Sequence, residues 1–245
     1  MTTLHHSLTQ TLRIGPFRVK SFVAQTLMSQ IYRQLALGRH TELFFANTNF
    51  VVTCRDFASR FNDPGITVVN DGIGMDLAAR FVHGKRFQEN LNGTDFIPRL
   101  LRSSPLPLKV FLFGAQPDVV REASRAIEHR FGQQVVGACS GYGIDDAAVC
   151  ARIRASQPDV VLVALGNPLQ ERWILDYAKD LPPALYVGVG ALFDFLAQRA
   201  VRAPTWMRQL RLEWLFRLCH EPRRLWKRYT IDAVRFFRIC ASARA

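Results

Sequence analysis

The stretch PDVVLVALGNPLQERW, residues 158 to 173, decides how this chain is expected to fold. Between Pro158 and Gly166 lies a run of mostly β-branched apolar residues, Asp159 to Leu165, that is too short for a helix. A run of this length and composition predicts a strand that is buried on both faces, as strands are in parallel sheets covered by helices.

A helix is predicted to begin directly after this strand. Asn167 is a good N-cap, Pro168 suits the first helical position, and Gln170 can complete a capping box. The polar residues Asn167, Gln170 and Glu171 then lie at the carboxyl end of a parallel strand, where open α/β sheets bind ligands and helix N-termini attract phosphates. A purely structural role stays open, in which Gln170 caps the helix and Glu171 favours its first turn.

The alternation of strands and helices continues on both sides of this stretch. Four apolar strands are predicted within KVFLFG (109–114), QVVGACSGYG (134–143), DVVLVALG (159–166) and ALYVGVGALFDF (184–195). The intervening helices are predicted over Pro117–Phe131, Asp145–Ser156 and Pro168–Ala178. This pattern predicts an α/β fold with a doubly wound, mainly parallel sheet. Each strand leaves the sheet through a glycine that lets the backbone approach a nucleotide closely, namely Gly114, Gly141, Gly166 and Gly190.

Two earlier strands end in polar residues. ELFFANTNF (42–50) predicts a strand that presents Asn47, Thr48 and Asn49, followed by a helix through about Phe61. ITVVNDGIG (66–74) predicts a strand that delivers Asn70 and Asp71 to a turn containing Gly72 and Gly74. A carboxylate at a strand end can act as a general base. Alternatively, Asp71 only caps a helix over Met75–Val82 or supports the glycine turn.

Other segments carry weaker signals. His83 to Asn92 is predicted to be a polar loop that enters a helix near Thr94, and a loop of that length is often a lid or a binding segment. An extended piece around Ile14–Val19 and a helix from Ser21 to Leu37 are predicted near the start of the chain, without chemical signal.

The glycine pattern does not indicate a cofactor site. Gly188 and Gly190 form a G-x-G, but Phe193 holds the place of the third glycine in a dinucleotide fingerprint. The chain has no P-loop and no Asp-x-Asp pair of the kind that holds a metal on a sugar nucleotide, and Asp145 with Asp146 is expected to start a helix. We therefore expect neither cofactor nor metal, and an NAD-linked oxidoreductase is disfavoured.

Composition limits the class of protein. With 245 residues and 49% hydrophobic residues, the chain can bury a substantial core. Its five cysteines form neither a C-x-x-C nor a cluster at metal spacing, which fits a reducing cytoplasm. The first residues, MTTLHHSLTQ, lack a basic and then apolar signal, and the longest apolar stretch, Ala184 to Phe193, is shorter than a bilayer crossing. A chain that is neither exported by that route nor transmembrane is expected.

The positive charge is concentrated in one segment. Of a net charge of +12, the segment from Arg199 to Ala245 carries +9, together with three of the four tryptophans. It is predicted to form two helices broken at Glu221 and Pro222, with basic residues along one face: Arg224, Lys227, Arg228, Arg235 and Arg238. This pattern suits an anionic membrane surface, where each basic residue contributes about 1 kcal/mol. The alternatives are helices packed on the core with solvated arginines, and nucleic acid, for which no motif is present.

Several motifs in a fixed order resemble one family. They are ANTNF, NDGIG, GTDF, LFGA, VALGNPLQERW, VGVGALFDF, VRAPTW and LEWLFRLCHEPRRLWKR, spread over about residues 41 to 230. Together they resemble the WecG/TagA/CpsF family of bacterial glycosyltransferases. The resemblance implies two Rossmann-like lobes, about 41–105 for the acceptor and base and 106–198 for the nucleotide, within a core of residues 1–198. It also implies that residues 199–245 form a basic membrane-associating appendage.

The resemblance also implies an activity and its partners. Members transfer a sugar from a UDP-sugar to an undecaprenyl-diphosphate-linked saccharide, with inversion and without a metal, at the cytoplasmic face of the membrane. The expected partners are therefore a UDP-sugar, a polyprenyl-diphosphate-linked acceptor, an anionic membrane surface and a second copy of the chain, but not nucleic acid. A non-catalytic module of a polysaccharide assembly complex is the alternative.

Roles for individual residues follow from matching the family motifs. Asp71 matches the proposed base, Asn49 the strand-end amide and Gln170 the glutamine near the reacting sugar, while Arg217 and Arg224 match basic positions of the appendage. Substrate contacts are expected from Asn47, Thr48, Gly72, Gly114, Gly141, Tyr142, Gly166, Asn167, Glu171, Asp194, Arg202, Lys227 and Arg228.

Two positions depart from the family pattern. Asn47-Thr48-Asn49 stands where many members have Thr-x-Asn, which leaves open which group contacts the sugar. Asn90 stands where many have an arginine, three residues before Gly93. Because an anion-binding arginine is absent there, a neutral hexose donor is favoured, in the branch of the family that serves exopolysaccharide assembly.

Overall fold

The computed structural model describes residues 10–204, 206–207 and 212–242, without the side chains of Arg217, Arg224 and Arg228. The described strands are β1 (Gln10–Ile14), β2 (Phe17–Ser21), β3 (Thr41–Ala46), β4 (Ile66–Asn70), β5 (Lys109–Gly114), β6 (Gln134–Cys139), β7 (Val160–Ala164) and β8 (Leu185–Gly188). They form one sheet in the order β1-β2-β4-β3-β8-β7-β5-β6, and all neighbours are parallel except β1 and β2. The predicted α/β fold with a mainly parallel sheet is confirmed.

The helices of the α/β core connect these strands. They are α1 (Ala24–Ala36), α2 (Thr48–Thr53), α3 (Ile73–His83), α4 (Gly93–Arg102), α5 (Pro117–Phe131), α6 (Asp146–Ser156), α7 (Leu169–Tyr177) and α8 (Leu192–Leu196), with short 3-10 helices at Arg55–Asn62 and Ala178–Asp180. The C-terminal helices whose bounds the structure describes are Glu213–His220, Pro222–Tyr229 and Ile231–Ser242, and we call them the first, second and third C-terminal helices.

The central strands are buried on both faces, as their composition predicts. In β7, Val161 and Val163 belong to one hydrophobic cluster, while Val160 and Leu162 belong to the other. This alternation follows from the two-residue period of a strand, which points successive side chains to opposite faces. Because helices cover both faces, neither set contacts water.

Strand β8 joins the two halves of the sheet. Leu185 pairs with Thr41 of β3 on one side and with Val160 of β7 on the other. The strands of both predicted lobes thus belong to one continuous sheet, and a lobe boundary near residue 105 stays a prediction.

The strand order creates a crevice between β5 and β7. The chain leaves β5 through α5 toward β6 and leaves β7 through α7 toward β8, so the two connections run in opposite directions. Helices α5 and α7 accordingly pack on opposite faces of the sheet. Ligands of open α/β sheets bind outside the carboxyl ends of strands at such a reversal.

Two local predictions near the start of the chain are wrong. The extended piece at Ile14–Val19 is a hairpin, because Gly15 adopts a positive φ of 56° and turns the chain between β1 and β2. The helix predicted to run to Phe61 ends at Thr53 and is replaced by a 3-10 helix from Arg55.

The C-terminal segment is also more divided than predicted. It breaks at Pro222 as expected, but a second break at Thr230, whose hydroxyl donates to the carbonyl of Trp226 at 2.6 Å, separates a third helix. Basic residues 224 to 238 therefore do not line one continuous helix. The third helix packs on α2 and α3 and buries Phe236 and Cys240 completely.

Candidate functional site

Four neighbouring strands bring the predicted polar residues to one edge of the sheet. Strands β4, β3, β8 and β7 are adjacent, and one or two residues after their respective ends lie Asp71, Asn47, Gly190 and Gly166. Between the ends of β4 and β7 lie three inter-strand spacings of about 4.8 Å, or on the order of 14 Å. The carboxyl edge of the sheet is therefore the candidate site, with Asp71 at one end and Gln170 at the other.

Asp71 is paired with Asn47. The Asn47 side-chain amide donates to Oδ2 of Asp71 at 3.4 Å, while Asn47 Oδ1 accepts from the backbone N–H of Phe50 at 3.1 Å and caps α2. The backbone N–H of Asp71 donates to the carbonyl of Ala46 at 2.7 Å. Because the cap fixes the amide, its NH₂ group is aimed at the carboxylate. The sequence pattern predicts a substrate contact for Asn47 and contains no sign of this pairing with Asp71.

The turn after Asp71 is held by the loop that follows α3. The backbone N–H of Gly72, whose φ is +88°, donates to Oδ1 of Asn90 at 2.7 Å. The side chain of Asn70 donates to the carbonyl of Glu89 at 3.0 Å, and the N–H of Leu91 donates to the carbonyl of Asn70 at 3.2 Å. Asn90, the position that departs from the family pattern, thus fixes the Asp-Gly turn.

The other two members of the Asn-Thr-Asn group lie in the first turn of α2. The methyl group of Thr48 packs in the space that Gly74 leaves by having no side chain. Asn49 is partly exposed at the same helix end, and its carbonyl accepts from the hydroxyl of Thr53 at 2.8 Å. Asn49 is therefore partly accessible to solvent at this helix end.

The predicted capping box at residues 167 to 170 is wrong. The helix begins at Leu169 after Pro168, and no side chain caps it. The amide of Asn167 donates instead to Glu171 at 2.6 Å. Gln170 is buried, donates to the same carboxylate oxygen at 2.8 Å and accepts from the N–H of Gly190 at 3.0 Å. In a capping box the side-chain oxygen of Gln170 would accept from a backbone N–H at the helix start, but here that oxygen accepts from Gly190, and the NH₂ groups of both amides donate to Glu171.

Glu171 is the buried ionisable group of this site. Burial raises its pKa to about 7, although the hydrogen bonds from Gln170 and Asn167 favour the ionised form. Its second oxygen, Oε2, is buried and has no hydrogen-bond partner among the residues that the structure describes. Burial is the larger cause of the raised pKa of the Cys54 thiol, and the nearby charge of Glu171 is the second. The start of α7 therefore lies beside the end of α2. The carboxyl group therefore titrates near neutral pH.

Gly188 and Gly190, the G-x-G at the end of β8, position the side chain of Gln170. A side chain at Gly188 would begin 2.9 Å from Nε2 of Gln170, so only glycine leaves room for that amide. Gly190, with a φ of +54°, presents its N–H to the same residue. The two glycines do not form a dinucleotide fingerprint. Gly188 is explained by its packing against Gln170, and Gly190 by its positive φ.

Glycines line the crevice between β5 and β7. Gly114 has a φ of +125° and lies so close to the carbonyl of Ala164 that a side chain would not fit. The N–H of Gly141 donates to the carbonyl of Ala115 at 3.0 Å, and the ring of Tyr142 beside it is exposed. This part of the sheet edge presents backbone groups and one aromatic ring. These groups suit the binding of a nucleotide better than a role in catalysis.

Asp194 and Arg202 lie on the α8 side of the edge. The carbonyl of Asp194 accepts from the N–H of Arg199 at 2.8 Å, and its side chain lines a cleft of about 290 Å³ with Phe216 and His220 of the first C-terminal helix. Arg202 binds Asp95 at 2.6 Å at the start of α4. Arg202 therefore supports the rim of the site.

The first C-terminal helix is attached to this rim. Glu213 accepts from the side chain of Asn92, the N-cap of α4, at 3.2 Å. The third helix packs on the opposite face of the sheet, so the C-terminal helices pass from one face to the other. Lys227 is exposed. The side chains of Arg217, Arg224 and Arg228 lie outside the described part of the chain, and their roles stay predictions.

The described residues contain neither a cluster of metal-binding side chains nor a helix able to cross a bilayer. No group of three or more His, Cys, Asp and Glu side chains there is arranged to hold a metal ion. No described helix has both the length and the hydropathy that crossing a bilayer requires.

The comparisons with known proteins agree on one family. Residues 12–245 match the sequence model of the glycosyl transferase WecG/TagA/CpsF family. A Bacillus subtilis strain 168 protein named N-acetylglucosaminyldiphosphoundecaprenol N-acetyl-beta-D-mannosaminyltransferase is 36% identical over 163 residues, which is 66% of this chain and 63% of the relative. A protein of the same name from Bacillus spizizenii strain W23 has the same identity and coverage. The matched segment thus spans less than two thirds of these relatives.

Proposed function

The chain belongs to the glycosyl transferase WecG/TagA/CpsF family, and from this premise we propose that it transfers a hexose or N-acetylhexosamine from a UDP-sugar to an undecaprenyl-diphosphate-linked saccharide. The observation that carries the proposal is the pair of Asn47 and Asp71, joined at 3.4 Å at two adjacent strand ends. It gives a carboxylate a fixed direction at the edge where such sheets bind ligands.

The proposed reaction is a single displacement with inversion and without a metal. Asp71 takes the proton of the acceptor hydroxyl as that oxygen bonds to the anomeric carbon, and UDP leaves from the opposite face. The amide of Asn47 keeps the carboxylate oriented by donating to its Oδ2 atom. A general base of this kind contributes about 10²–10⁴ in rate.

The departing diphosphate carries negative charge that the protein has to stabilise. We assign this role to the crevice between β5 and β7, where Gly114, Gly141 and Gly166 expose backbone, and to Arg217 and Arg224 of the C-terminal helices. Oriented N–H groups and guanidinium groups both stabilise developing phosphate charge. Gln170 and Glu171, between this crevice and Asp71, would then border the transferred sugar.

The acceptor places the reaction at a membrane. The names of both relatives specify a diphosphoundecaprenol substrate, and the basic C-terminal segment of this chain suits an anionic surface. We propose that the chain acts as a peripheral protein on the inner face of the cytoplasmic membrane, in cell-surface or exopolysaccharide synthesis, and that it also self-associates.

The chemistry near Gly72 supports a neutral donor sugar. Asn90 engages its side-chain oxygen with a backbone N–H, so the position offers no cation to an acidic sugar. A neutral donor is therefore proposed, either a hexose or the N-acetylmannosaminyl type that the relatives' names specify.

A panel of UDP-sugars tests the proposal. Each is offered to the purified full chain with a synthetic polyprenyl-diphosphate monosaccharide, with and without a metal chelator, and lipid products are separated by mass. A product longer by one neutral sugar supports the proposal. If neither transfer nor hydrolysis occurs with any donor, the chain is a non-catalytic module of an assembly complex, and the proposal fails.

A further inference from the structure

Helix α3 exposes two large apolar side chains on its outer face. Leu77 is 49% exposed and Phe81 is 51% exposed, and they lie four residues apart, so they share one side of the helix. The opposite side of α3 is buried through Met75, Ala78 and Ala79. An apolar outer face on a helix that already has a buried face points to a further contact.

The third C-terminal helix continues this apolar surface. Its Val234 and Phe237 are 53% and 38% exposed and lie three residues apart. This helix packs against α3, and both bury their inner faces in the same hydrophobic cluster on one face of the sheet. Their outer faces therefore look away from the sheet on the same side of the molecule. We call the four residues Leu77, Phe81, Val234 and Phe237 the outer apolar surface.

Exposed basic residues accompany the outer apolar surface. On α3 and the loop after it they are Arg80, Lys85 and Arg86, and on the third C-terminal helix they are Arg235 and Arg238. One of them, Arg235, binds Asp232 at 3.2 Å. A symmetric contact with a second copy would bring these like charges together, whereas an anionic surface would attract all of them.

We propose that this surface docks on an anionic lipid bilayer, with helix α3 of the catalytic core forming half of the membrane contact. Apolar side chains flanked by basic residues on a helix lying flat are the pattern of interfacial helices. The membrane contact thus extends beyond the basic C-terminal segment into the core.

Under the proposed function, docking through α3 also positions the base Asp71. The N-terminus of α3 follows Gly72 directly, so the helix that lies on the bilayer also carries the turn that holds Asp71. Docking through α3 would set the distance and direction of the carboxylate relative to the lipid surface. A lipid-linked acceptor hydroxyl would then meet the base without leaving the interface.

Vesicle sedimentation tests the proposal. The full-length chain and the variant Leu77→Gln/Phe81→Gln are mixed with phosphatidylcholine vesicles that contain or lack phosphatidylglycerol. We expect the variant to bind the anionic vesicles about tenfold more weakly, since two apolar anchors are lost. The matched control is Leu37→Gln/Leu106→Gln, which changes two side chains that are 56% and 72% exposed elsewhere and should bind like the wild type.

The outcomes separate this proposal from the proposed activity. Sedimentation uses no sugar donor, so weaker binding of the variant supports the docking surface even if no transfer is ever observed. A circular dichroism spectrum and a urea midpoint equal to those of the wild type show that the variant is folded. Vesicle binding equal to the wild type overturns the proposal. If the variant with unchanged vesicle binding also loses self-association in sedimentation velocity, the surface joins two copies of the chain instead.

Discussion

The N–H of Gly190 donates to the side-chain oxygen of Gln170 at 3.0 Å, and this bond ties the turn after β8 to the start of α7. The other end of the same amide binds Glu171 at 2.8 Å. One buried side chain therefore connects two strand ends of the candidate site. This arrangement makes the geometry of the site sensitive to substitutions that leave the fold intact.

Asp71→Asn should abolish most of the transfer activity. The amide has nearly the same shape but cannot accept the hydroxyl proton, so we expect a loss of about 10²–10⁴ in turnover. Initial rates with the preferred donor measure it, with circular dichroism to verify folding. The exposed Asp56→Asn is the matched control and should keep wild-type rates. Near-wild-type turnover of a folded Asp71→Asn protein would refute the assignment of Asp71 as the base.

Asn47→Asp should shift the pH profile and leave the helix cap in place. The new side chain keeps an oxygen for the N–H of Phe50 but replaces the amide donor beside Asp71 with a second carboxylate oxygen. Two carboxylates this close raise each other's pKa, so Asp71 would ionise at higher pH. We expect the acidic limb of kcat/KM to move up by about one unit. An unmoved limb would mean that Asn47 does not act on Asp71.

Glu171→Gln should change how stability depends on pH. The carboxyl has a pKa raised from 4.5 to about 7 by burial, so the folded protein holds its proton while the unfolded chain releases it. Stability from this group is complete below pH 4.5 and is lost as the pH rises through 7, on the order of 3 kcal/mol in all.

Urea unfolding from pH 5 to pH 8 measures this dependence. The wild type should lose free energy of unfolding across that range, whereas Glu171→Gln should lose less, because its side chain does not ionise. Parallel curves for the two proteins would mean that Glu171 does not titrate differently on folding.

Gly188→Ala should disturb the site through Gln170. The added methyl would lie 2.9 Å from Nε2 of Gln170, so the amide has to move and its bonds to Gly190 and Glu171 weaken. We expect about 1–3 kcal/mol of destabilisation and a fall in kcat. Gly65→Ala is the control, since a methyl there meets nothing within 4 Å. Wild-type kcat for Gly188→Ala would show that the position of Gln170 is not important for turnover.

Phe236→Ala should destabilise the whole protein. The ring is fully buried against α2 and α3, and removing such a ring costs about 3–5 kcal/mol. Phe237→Ala, one residue further and 38% exposed, should cost much less. Denaturant midpoints of both variants measure the difference. Equal small effects would mean that the third C-terminal helix is not part of the core. Deleting the C-terminal segment would then test membrane binding without unfolding the protein.

The central strands and the polar residues at their ends were predictable from the sequence. The apolar run at Val160–Ala164 is buried as predicted, and α5 has the predicted bounds, Pro117–Phe131. These features depend on composition and period over a few residues, which a local pattern records. The family resemblance was likewise visible in the motifs, and residues 12–245 match that family.

Long-range pairings were not predictable in the same way. Asn47 and Asp71 are 24 residues apart and meet because β3 and β4 are neighbours. The predicted capping box does not form because the side chain of Gln170 binds Glu171 and the N–H of Gly190, which follows β8. The third C-terminal helix packs on α2, far from it in the chain.

The sequence by itself determined which segments form strands and helices, which side chains end the strands, and which family the chain resembles. Only the tertiary structure decided which strand ends lie side by side, which amide serves which carboxylate, and which faces of α3 and the third C-terminal helix stay exposed. The physical reason is that strand order is set by the packing of the whole core, so a contact between distant residues leaves no trace in the local pattern around either one.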